Sequence, residues 1–400
     1  MASTAPGSEI AIAPRGELAP GRLRCVGCGA AQDARGPVMR ADPESRPFDL
    51  YRCAACGLVQ QHPRAPGSVG PPWPTPCGAG ALTGNTSARA SPRSQSADEG
   101  VGTTGRRSVG PPRPTWQTNN ASSCDRSLVL PQATFVERSA ASAEDEPACW
   151  ARAVQQYVVH VLRHETPRYR RLLQVGCGLG YFVALAAQRG WQVVGLDVSA
   201  TAVSRAATRF GLDFRAGLLS QHRSTLPPFD LVLLGDIVEH LPEPAAFLRE
   251  IWQSLAPGGL VCIDTPNWGS RWRRWGRSRW LGLNRYHLNL FDPDSLSRLL
   301  ASCAFSEIQT GGYTHYRYES WASRPEAQAI ISKLPRFLAW RLNRYFDRRA
   351  ARSPWAILRS APPATLEAAL HLLDDLASPS ATPGASGLRA DALTAAARRI

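Results

Sequence analysis

Short apolar runs alternate with helical periodicity through the second half of the chain. Arg171–Val175 and Trp191–Asp197 are apolar runs of strand length, and Val183–Gly190 between them spaces small apolar residues as a helix does. Upstream, Pro147–Pro167 predicts a helix with one apolar face, formed by Trp150, Val154, Tyr157, Val158 and Val161. This alternation predicts an α/β domain whose first strand follows a helix.

The first of these strands stops abruptly at a glycine-rich turn. Gly176, Gly178 and Gly180 follow it, and Asp197 ends the next strand. The order strand, glycine turn, helix, strand, acid is typical of a βαβ unit that binds a nucleoside, whose ribose hydroxyls the acid can hold. The spacing is G-x-G-x-G, without the extra residue of a dinucleotide site and without a P-loop lysine. It therefore favours a nucleoside that lacks phosphates, such as S-adenosylmethionine (SAM), over the alternative of an NAD-type oxidoreductase.

Downstream motifs carry a family resemblance. Glu239, His240, Leu241 and Pro244 form an "EHL..P" pattern, and Leu255, Pro257, Gly258 and Gly259 form "L.PGG". Thr265–Asn267 and Tyr286–Leu296 match further segments. From about Arg170 to Tyr318 the chain resembles the class I SAM-dependent methyltransferases. The resemblance implies a doubly wound, Rossmann-like, seven-stranded sheet and SAM as cofactor.

The resemblance also assigns cofactor contacts. Gly176, Gly178 and Gly180 would let the backbone pass the methionine part of SAM, and Asp197 would bind the ribose. Asp236, after the fourth strand, would lie where methyl donor and acceptor meet, although a loop cap is an alternative role. Two positions depart from the family pattern. Gln174 stands where an acid usually meets the SAM amino group. Leu218 stands where an acid usually meets adenine, and a backbone contact could replace that acid.

Two histidines are candidates for a general base. A base is needed only if the acceptor arrives protonated, as a hydroxyl or a carbon acid would. His240 lies in the "EHL" motif and His287 in "YHLNLF", and a histidine titrates near neutral pH. We favour His287. A structural hydrogen bond is the alternative role for each.

Four cysteines form two C-x-x-C-G knuckles that predict a zinc ribbon. Cys25 and Cys28 form the first knuckle, Cys53 and Cys56 the second, and 24 residues separate them. Structural zinc prefers four thiolates in a tetrahedron, and each tight knuckle supplies two. Chance pairs and a redox dithiol are the alternatives. Tyr51–Arg64 also resembles the zinc-ribbon headpiece that precedes some methyltransferases.

These signals divide the chain into four regions. We expect a disordered N-terminus at 1–21, the ribbon at 22–63, a disordered Pro/Gly/Ser-rich insertion at 64–143 and the methyltransferase domain at 144–400. A proline-rich docking site is the alternative for the insertion. The family layout also predicts a strand at Ala392–Ala397 beside the sixth strand, near Phe305–Gly312, although the alanines favour a helix. Residues between Trp321 and Ala377 should be mostly helical.

Composition bears on partners and compartment. The formal charge is +14, but Lys333 is the only lysine, so arginine supplies nearly all of the positive charge and is spread along the chain. This pattern disfavours nucleic-acid binding, and the alternative function is a zinc-ribbon nucleic-acid-binding protein with a degenerate domain. No apolar run approaches the ~18 residues of a membrane span, and no signal peptide is evident, so we expect a cytoplasmic enzyme.

Two cationic stretches remain. We interpret Trp268–Trp280 as a lid over the substrate, with base stacking or a membrane surface as alternatives. Ala329–Arg349 is interpreted as a docked amphipathic helix, with a peripheral membrane contact as the alternative. The expected acceptor is a small-molecule, carrier-bound or glycolipid-like compound. The sequence leaves its reacting atom and the oligomeric state open.

Overall fold

A computed structural model describes the residues that carry most of these expectations. The described residues are 24–30, 39–41, 48–62, 145–165, 170–277, 280, 282–283, 286–315, 327, 331–351, 353, 355–376 and 390–399. The expected disordered N-terminus at 1–21 and the expected insertion at 64–143 lie outside them. The four-region division therefore stays a prediction.

The elements alternate as the apolar pattern predicts. In chain order the strands are β1 (Met39–Ala41), β2 (Phe48–Arg52), β3 (Val59–His62), β4 (Arg171–Val175), β5 (Gln192–Asp197), β6 (Phe214–Ala216), β7 (Phe229–Gly235), β8 (Leu255–Pro266), β9 (Asn289–Leu290), β10 (Phe305–Tyr313) and β11 (Ala392–Arg399). The helices are α1 (Glu146–His160), α2 (Tyr181–Gln188), α3 (Ala200–Phe210), α4 (Leu219–His222), α5 (Pro244–Ser254), α6 (Arg271–Gly276), α7 (Pro293–Ser302), α8 (Arg336–Ala350), α9 (Ala356–Ser360) and α10 (Leu366–Leu376). Short 3-10 turns lie at Leu162–His164 and Val238–His240.

The main sheet has seven strands in the order β10-β11-β8-β7-β4-β5-β6. Strands β4 to β8 run parallel, and the chain proceeds outward from β4 through β5 and β6 before it crosses back to β7. A reversal of strand order opens a crevice at the carboxyl ends of the two strands where it occurs, here β4 and β7. The expected α/β, Rossmann-like sheet is confirmed.

The last strand, β11, forms although its composition favours a helix. β11 inserts antiparallel between β10 and β8, so that Ala395 lies opposite Thr310 on one side and Ile263 on the other. Ala395, Ala396 and Ala397 are buried. The hydrogen bonds of two neighbouring strands outweigh an intrinsic preference of a few tenths of a kcal/mol per residue. The predicted strand at Ala392–Ala397 is confirmed.

Helix α1 packs its predicted apolar face on the sheet. Trp150, Val154 and Tyr157 are buried in the core with residues of α2 and α10. The Asp145 carboxylate caps the helix by accepting a hydrogen bond from the Ala148 amide at 3.2 Å. Two polar residues of the helix, Arg152 and His160, contact Asp236 after β7 and Asp264 on β8.

The segment between β10 and β11 is helical where it is described, in α8, α9 and α10. The expected docking of α8 is wrong in part. Leu338 and Tyr345, which the sequence places on the docked face, are 38% and 58% exposed, and Phe337 and Trp340 are also exposed. None of the helices in the described part of the chain has the length and apolar character needed to span a bilayer.

A second, smaller sheet has the order β1-β2-β3-β9, so it joins the cysteine-rich hairpin to a strand of the larger domain. Its inner face forms a core with part of the tryptophan-rich stretch. The members of this core are Leu50, Val59, Trp268, Trp280, Leu283 and Leu290. Trp268 and Trp280 are only 4% and 3% exposed. Both end tryptophans of the stretch Trp268–Trp280 are therefore packed in this core, whereas Trp275 between them is 58% exposed, and the interpretation of the stretch as a lid stays a prediction.

The insertion of β11 makes a stability prediction. Leu393 is fully buried in β11, whereas Leu338 on α8 is 38% exposed. Leu393→Ala should lower the free energy of unfolding by about 2–5 kcal/mol, since it leaves a cavity in the sheet core. Leu338→Ala is the matched control and should change it by less than about 0.5 kcal/mol. Chemical denaturation checks both, and equal unfolding midpoints would contradict the placement of β11 in the core.

Candidate functional site

The glycine turn after β4 has one open position. Gly176 and Gly180 have φ values of +74° and +81°. A Cβ on Gly176 would lie 2.3 Å from the Ile237 side chain, and one on Gly180 would lie 2.5 Å from the Phe214 ring. A Cβ on Gly178 would meet nothing within 4 Å. The outer two glycines therefore shape the turn, and the backbone at Gly178 borders space that a ligand could fill.

Asp197 closes this turn from β5. Its side chain is buried, and its Oδ2 accepts a hydrogen bond from the Gly178 amide at 2.8 Å. Its Oδ1 accepts one from the Ser199 amide at 2.9 Å. A carboxylate has about four acceptor sites and can therefore hold more than one donor at once. The structure thus brings together the glycines and the acid that the sequence paired.

Gln174 has a buried side-chain oxygen that lacks a hydrogen-bond donor. It lies on β4 two residues before Gly176, is 5% exposed, and its Oε1 has no hydrogen-bond partner. A buried acceptor left without a donor costs about 1–3 kcal/mol. A ligand amino group would satisfy it. Leu218 is the N-cap residue before α4; its amide donates to Gln221 Oε1 at 2.7 Å and its carbonyl accepts from the Gln221 amide at 3.1 Å, so its side chain remains for an adenine contact.

Asp236 directly follows β7 in a strained backbone with φ +52° and forms an ion pair with Arg152 of α1. Its amide donates to the Asp264 backbone carbonyl at 3.1 Å. Burial raises the pKa of the Asp236 carboxyl, but the charge of Arg152, its hydrogen bond to Asp236 and the nearby His287 and His240 together lower that pKa below its ordinary value. Asp236 is therefore ionised at neutral pH, and its place between donor and acceptor stays a prediction.

Sequence reasoning missed the polar network behind Asp236. Asp264 on β8 is buried, and its Oδ2 lies 2.9 Å from His160 Nε2 and accepts a hydrogen bond from the Tyr313 hydroxyl at 3.4 Å. Arg152 also lies 3.4 Å from His315 Nε2. Two features of the sequence could have indicated this network. Asp264 is an acid within an apolar strand, and α1, which was predicted to pack on the core, also carries polar residues. Helix α1 thus lines the site as well as packing on the sheet.

The two candidate bases lie side by side. The rings of His240 and His287 are 4.7 Å apart, centre to centre, and nearly perpendicular. His240 Nδ1 lies 2.9 Å from the Tyr286 carbonyl, and His287 Nδ1 lies 2.8 Å from the Gly282 carbonyl. A carbonyl only accepts, so each Nδ1 carries the hydrogen and each Nε2 presents its lone pair. Burial lowers the pKa of both, that of His287 to about 4, so both are neutral at pH 7 and can accept a proton.

Glu239 stands behind these histidines. It is fully buried, and its Oε2 accepts a hydrogen bond from the Thr265 hydroxyl at 2.9 Å. Burial, with the nearby charge of Asp236, raises the pKa of Glu239 well above its usual range. Ligand-type atoms of Glu239, His240 and His287 all lie within 4.8 Å of one another. Such a cluster can handle a proton and is also compact enough to hold a cation.

The four knuckle cysteines converge as predicted. Cys25 Sγ lies 3.4 Å from Cys56 Sγ, and Cys28 Sγ lies 3.7 Å from Cys53 Sγ, with all four sulfurs within 4.8 Å of one another. Tetrahedral zinc with bonds of about 2.3 Å sets its sulfurs about 3.8 Å apart. Gly29 and Gly57, which follow the knuckles, have φ values of +75° and +79°. The donor set therefore fits structural zinc.

Comparison with known proteins agrees with this geometry. Residues 143–307 match the family model described as "Methyltransferase domain". This segment of the chain is therefore similar to a methyltransferase domain. A probable S-adenosylmethionine-dependent methyltransferase of Mycolicibacterium smegmatis is 31% identical over 147 residues, which cover 36% of this chain and 56% of that protein. A ubiquinone biosynthesis O-methyltransferase of Caulobacter sp. (strain K31) is 38% identical over 103 residues, which cover 24% of this chain and 41% of that protein.

These matches support the expected enzyme class, a class I SAM-dependent methyltransferase, at the level of the domain. The chain spans about half the length of the relatives it matches. A crystal structure of a SAM-dependent methyltransferase from Archaeoglobus fulgidus aligns with a TM-score of 0.39 at 15% identity, over 66% of this chain and 98% of that one. That alignment adds nothing to the sequence matches.

The position of His287 leads to a prediction about its titration. The ring is half-buried, and its pKa should be about 4, because desolvation and the neighbouring His240 disfavour the charged ring. An unfolded chain gives histidine a pKa near 6.5. Folding stability should therefore fall as the pH drops from about 6.5 toward 4, since the unfolded state binds the proton first. Histidine NMR titration checks this, with His287→Gln to assign the signal and exposed His371 as the internal reference; a midpoint near 6.5 for His287 would contradict it.

Proposed function

We propose that the chain transfers a methyl group from SAM to a small-molecule, carrier-bound or glycolipid-like acceptor in the crevice between β4 and β7. The observation that carries the proposal is the orphaned Gln174 Oε1, because it lies at the end of the strand that leads into the open backbone at Gly178. A ligand that contains both an amino group and a nucleoside could donate a hydrogen bond to Gln174 Oε1 and lie against the open backbone at Gly178. The methyltransferase-domain match over residues 143–307 supports the same ligand.

Each residue of the site has a role in this proposal. Gln174 would accept a hydrogen bond from the SAM amino group, and Asp197 would accept bonds from the ribose hydroxyls while it holds the Gly178 amide. When bound, SAM supplies an activated methyl group, so the chain needs chiefly to position the reactants and exclude water. Asp236, held by Arg152, would face the acceptor with a fixed negative charge.

His287 would serve as the base. Its Nδ1–H is held by the Gly282 carbonyl, so Nε2 offers the lone pair that can take a proton from an acceptor hydroxyl. His240 would stand beside it as a second neutral ring. The names of several relatives, "Ubiquinone biosynthesis O-methyltransferase", concern transfer to oxygen. They support hydroxyl compounds as the first acceptors to screen with methyl-labelled SAM.

The zinc ribbon completes the proposal. Cys25, Cys28, Cys53 and Cys56 would hold one structural zinc ion. The rival function, nucleic-acid binding by the ribbon, is less favoured, because the inner face of its sheet is packed on Trp268 and Trp280. Strand β3 is also paired with β9, so this edge of the ribbon sheet does not offer a free surface to a nucleic acid.

The cofactor assignment predicts a loss of affinity at Asp197. Asp197→Ala should weaken SAM binding by roughly 1.5–3 kcal/mol, the range for hydrogen bonds to a charged group. Asp213→Ala is the control, because Asp213 is an exposed acid near the same edge of the sheet that pairs with Arg215. Isothermal calorimetry should show weaker binding for the first variant only, and no binding of NAD to the wild type. Equal SAM affinity in all three proteins would remove Asp197 from the site.

The ribbon assignment predicts one zinc ion per chain. Elemental analysis of protein purified without chelator should find it, and the double variant Cys25→Ser/Cys53→Ser should lose it, because each knuckle then lacks one thiolate. Cys149→Ser is the control, since Cys149 lies on α1 outside the cluster. Wild-type protein without zinc would refute the ribbon assignment, as would retention of the metal in the double variant.

A further inference from the structure

The ribbon and the candidate bases meet at one strand. β9 begins two residues after His287, and β3 pairs with it in antiparallel register, with Val59 opposite Leu290 and Gln60 opposite Asn289. One residue beyond this ladder, the Gln61 amide donates to the Leu288 carbonyl at 3.1 Å. The backbone that follows His287 is therefore held by the ribbon.

A relay of side-chain amides extends this contact to the second histidine. Gln60 is fully buried, and its Nε2 donates a long hydrogen bond to Asn289 Oδ1 at 3.4 Å. Asn289 is also fully buried, and its Nδ2 donates to the Leu241 carbonyl at 2.7 Å. Leu241 directly follows His240. Buried polar side chains of this kind specify one arrangement, because an unpaired amide in a dry site is costly.

The histidines depend on the same segment for their orientation. The Tyr286 carbonyl, which receives the His240 Nδ1 hydrogen, directly precedes His287. At the other end of the segment, Arg52 of β2 pairs with Asp292 at 2.7 Å, and Asp292 caps α7. The ribbon thus contacts the stretch 286–292 at its centre and at its far end, and this stretch carries His287 and supplies the carbonyl that holds His240.

The cofactor turn is held by different groups. Asp197 on β5 accepts from the Gly178 amide, and the Gly176 amide donates to the Leu196 carbonyl at 2.8 Å. These contacts belong to the main sheet, whereas Gln60 belongs to the small one. A change at Gln60 can therefore disturb the histidines and leave SAM binding intact.

We propose that the ribbon is part of the acceptor site and that Gln60 is a positioning residue, which sets the orientation of His240 and His287 through Asn289 and the backbone of β9. The assignment of the histidines to the acceptor site rests on the proposed methyl transfer. The inference that the ribbon orients the two histidines does not depend on methyl transfer. Zinc in the ribbon would then support the reaction at a distance, by fixing the hairpin that carries Gln60.

Adjacent glutamines provide a matched pair of variants. Gln60→Leu removes the amide that meets Asn289 and keeps an apolar side chain of similar size. Gln61→Leu makes the same chemical change one residue along β3, at a side chain that is 2% exposed and whose Oε1 has no hydrogen-bond partner. Successive residues of a strand point to opposite faces, so the second change leaves the relay untouched.

Two spectroscopic measurements on the full chain test the proposal. Long-range ¹H–¹⁵N spectra report the tautomer and the environment of each imidazole, and Gln60→Leu should shift the signals of both His240 and His287, whereas Gln61→Leu should not. Amide exchange over residues 286–292 should accelerate by about tenfold in Gln60→Leu, the effect of losing one buried hydrogen bond. Zinc content and SAM affinity should match the wild type in both variants, which excludes loss of the ribbon or of the fold.

The outcomes separate this proposal from the methyl-transfer proposal. Unchanged histidine spectra in Gln60→Leu, or equal changes in both variants, would overturn the positioning role. Failure of the wild type to bind SAM would overturn the proposed function and leave the spectroscopic comparison valid. Once an acceptor is identified, Gln60→Leu should lower kcat with little change in SAM affinity, and equal kcat in both glutamine variants would contradict the proposal.

Discussion

The pairing of β4 with β7 is the constraint on which the rest of the site depends. These two parallel strands are neighbours in the sheet, but the chain leaves them in opposite directions, toward β5 on one side and β8 on the other. Their carboxyl ends therefore open onto a common crevice. Gln174 and the glycine turn lie at the end of one strand, and Asp236 at the end of the other. The Asp197 carboxylate then joins the turn to β5, and the Arg152 guanidinium on α1 forms an ion pair with Asp236.

The small sheet extends this arrangement to the acceptor side. The sequence indicates that the cysteine hairpin is a separate module. In the structure, however, the hairpin forms one sheet with Asn289 and Leu290 of the larger domain. The same contact buries two tryptophans and holds the backbone that follows His287. The ribbon therefore contacts the candidate site through strand pairing, and a metal in it would be linked to the proposed reaction by backbone hydrogen bonds.

Sequence predicted the parts of the fold in which local pattern and family layout agree. The βαβ unit with its glycines and Asp197 was readable because strand length, turn chemistry and the terminal acid coincide. Even β11 was predictable, although only from its expected place in the sheet, because its alanines alone indicate a helix. Tertiary contacts decided the remaining features. Arg152 and His160 looked like ordinary polar positions of an amphipathic helix, and only the packed structure shows that they meet Asp236 and Asp264. Alternating tryptophans and arginines likewise gave no sign that Trp268 and Trp280 pack on the ribbon.

A crystal structure of the chain with S-adenosylhomocysteine tests the account most directly. The account predicts that the ligand amino group donates to Gln174 Oε1, that the ribose hydroxyls bind Asp197, and that the ligand backbone passes Gly178. The ligand sulfur should face the crevice that Asp236 and His287 line. A ligand bound elsewhere, or one in this crevice that leaves Gln174 Oε1 unpaired, would contradict the account.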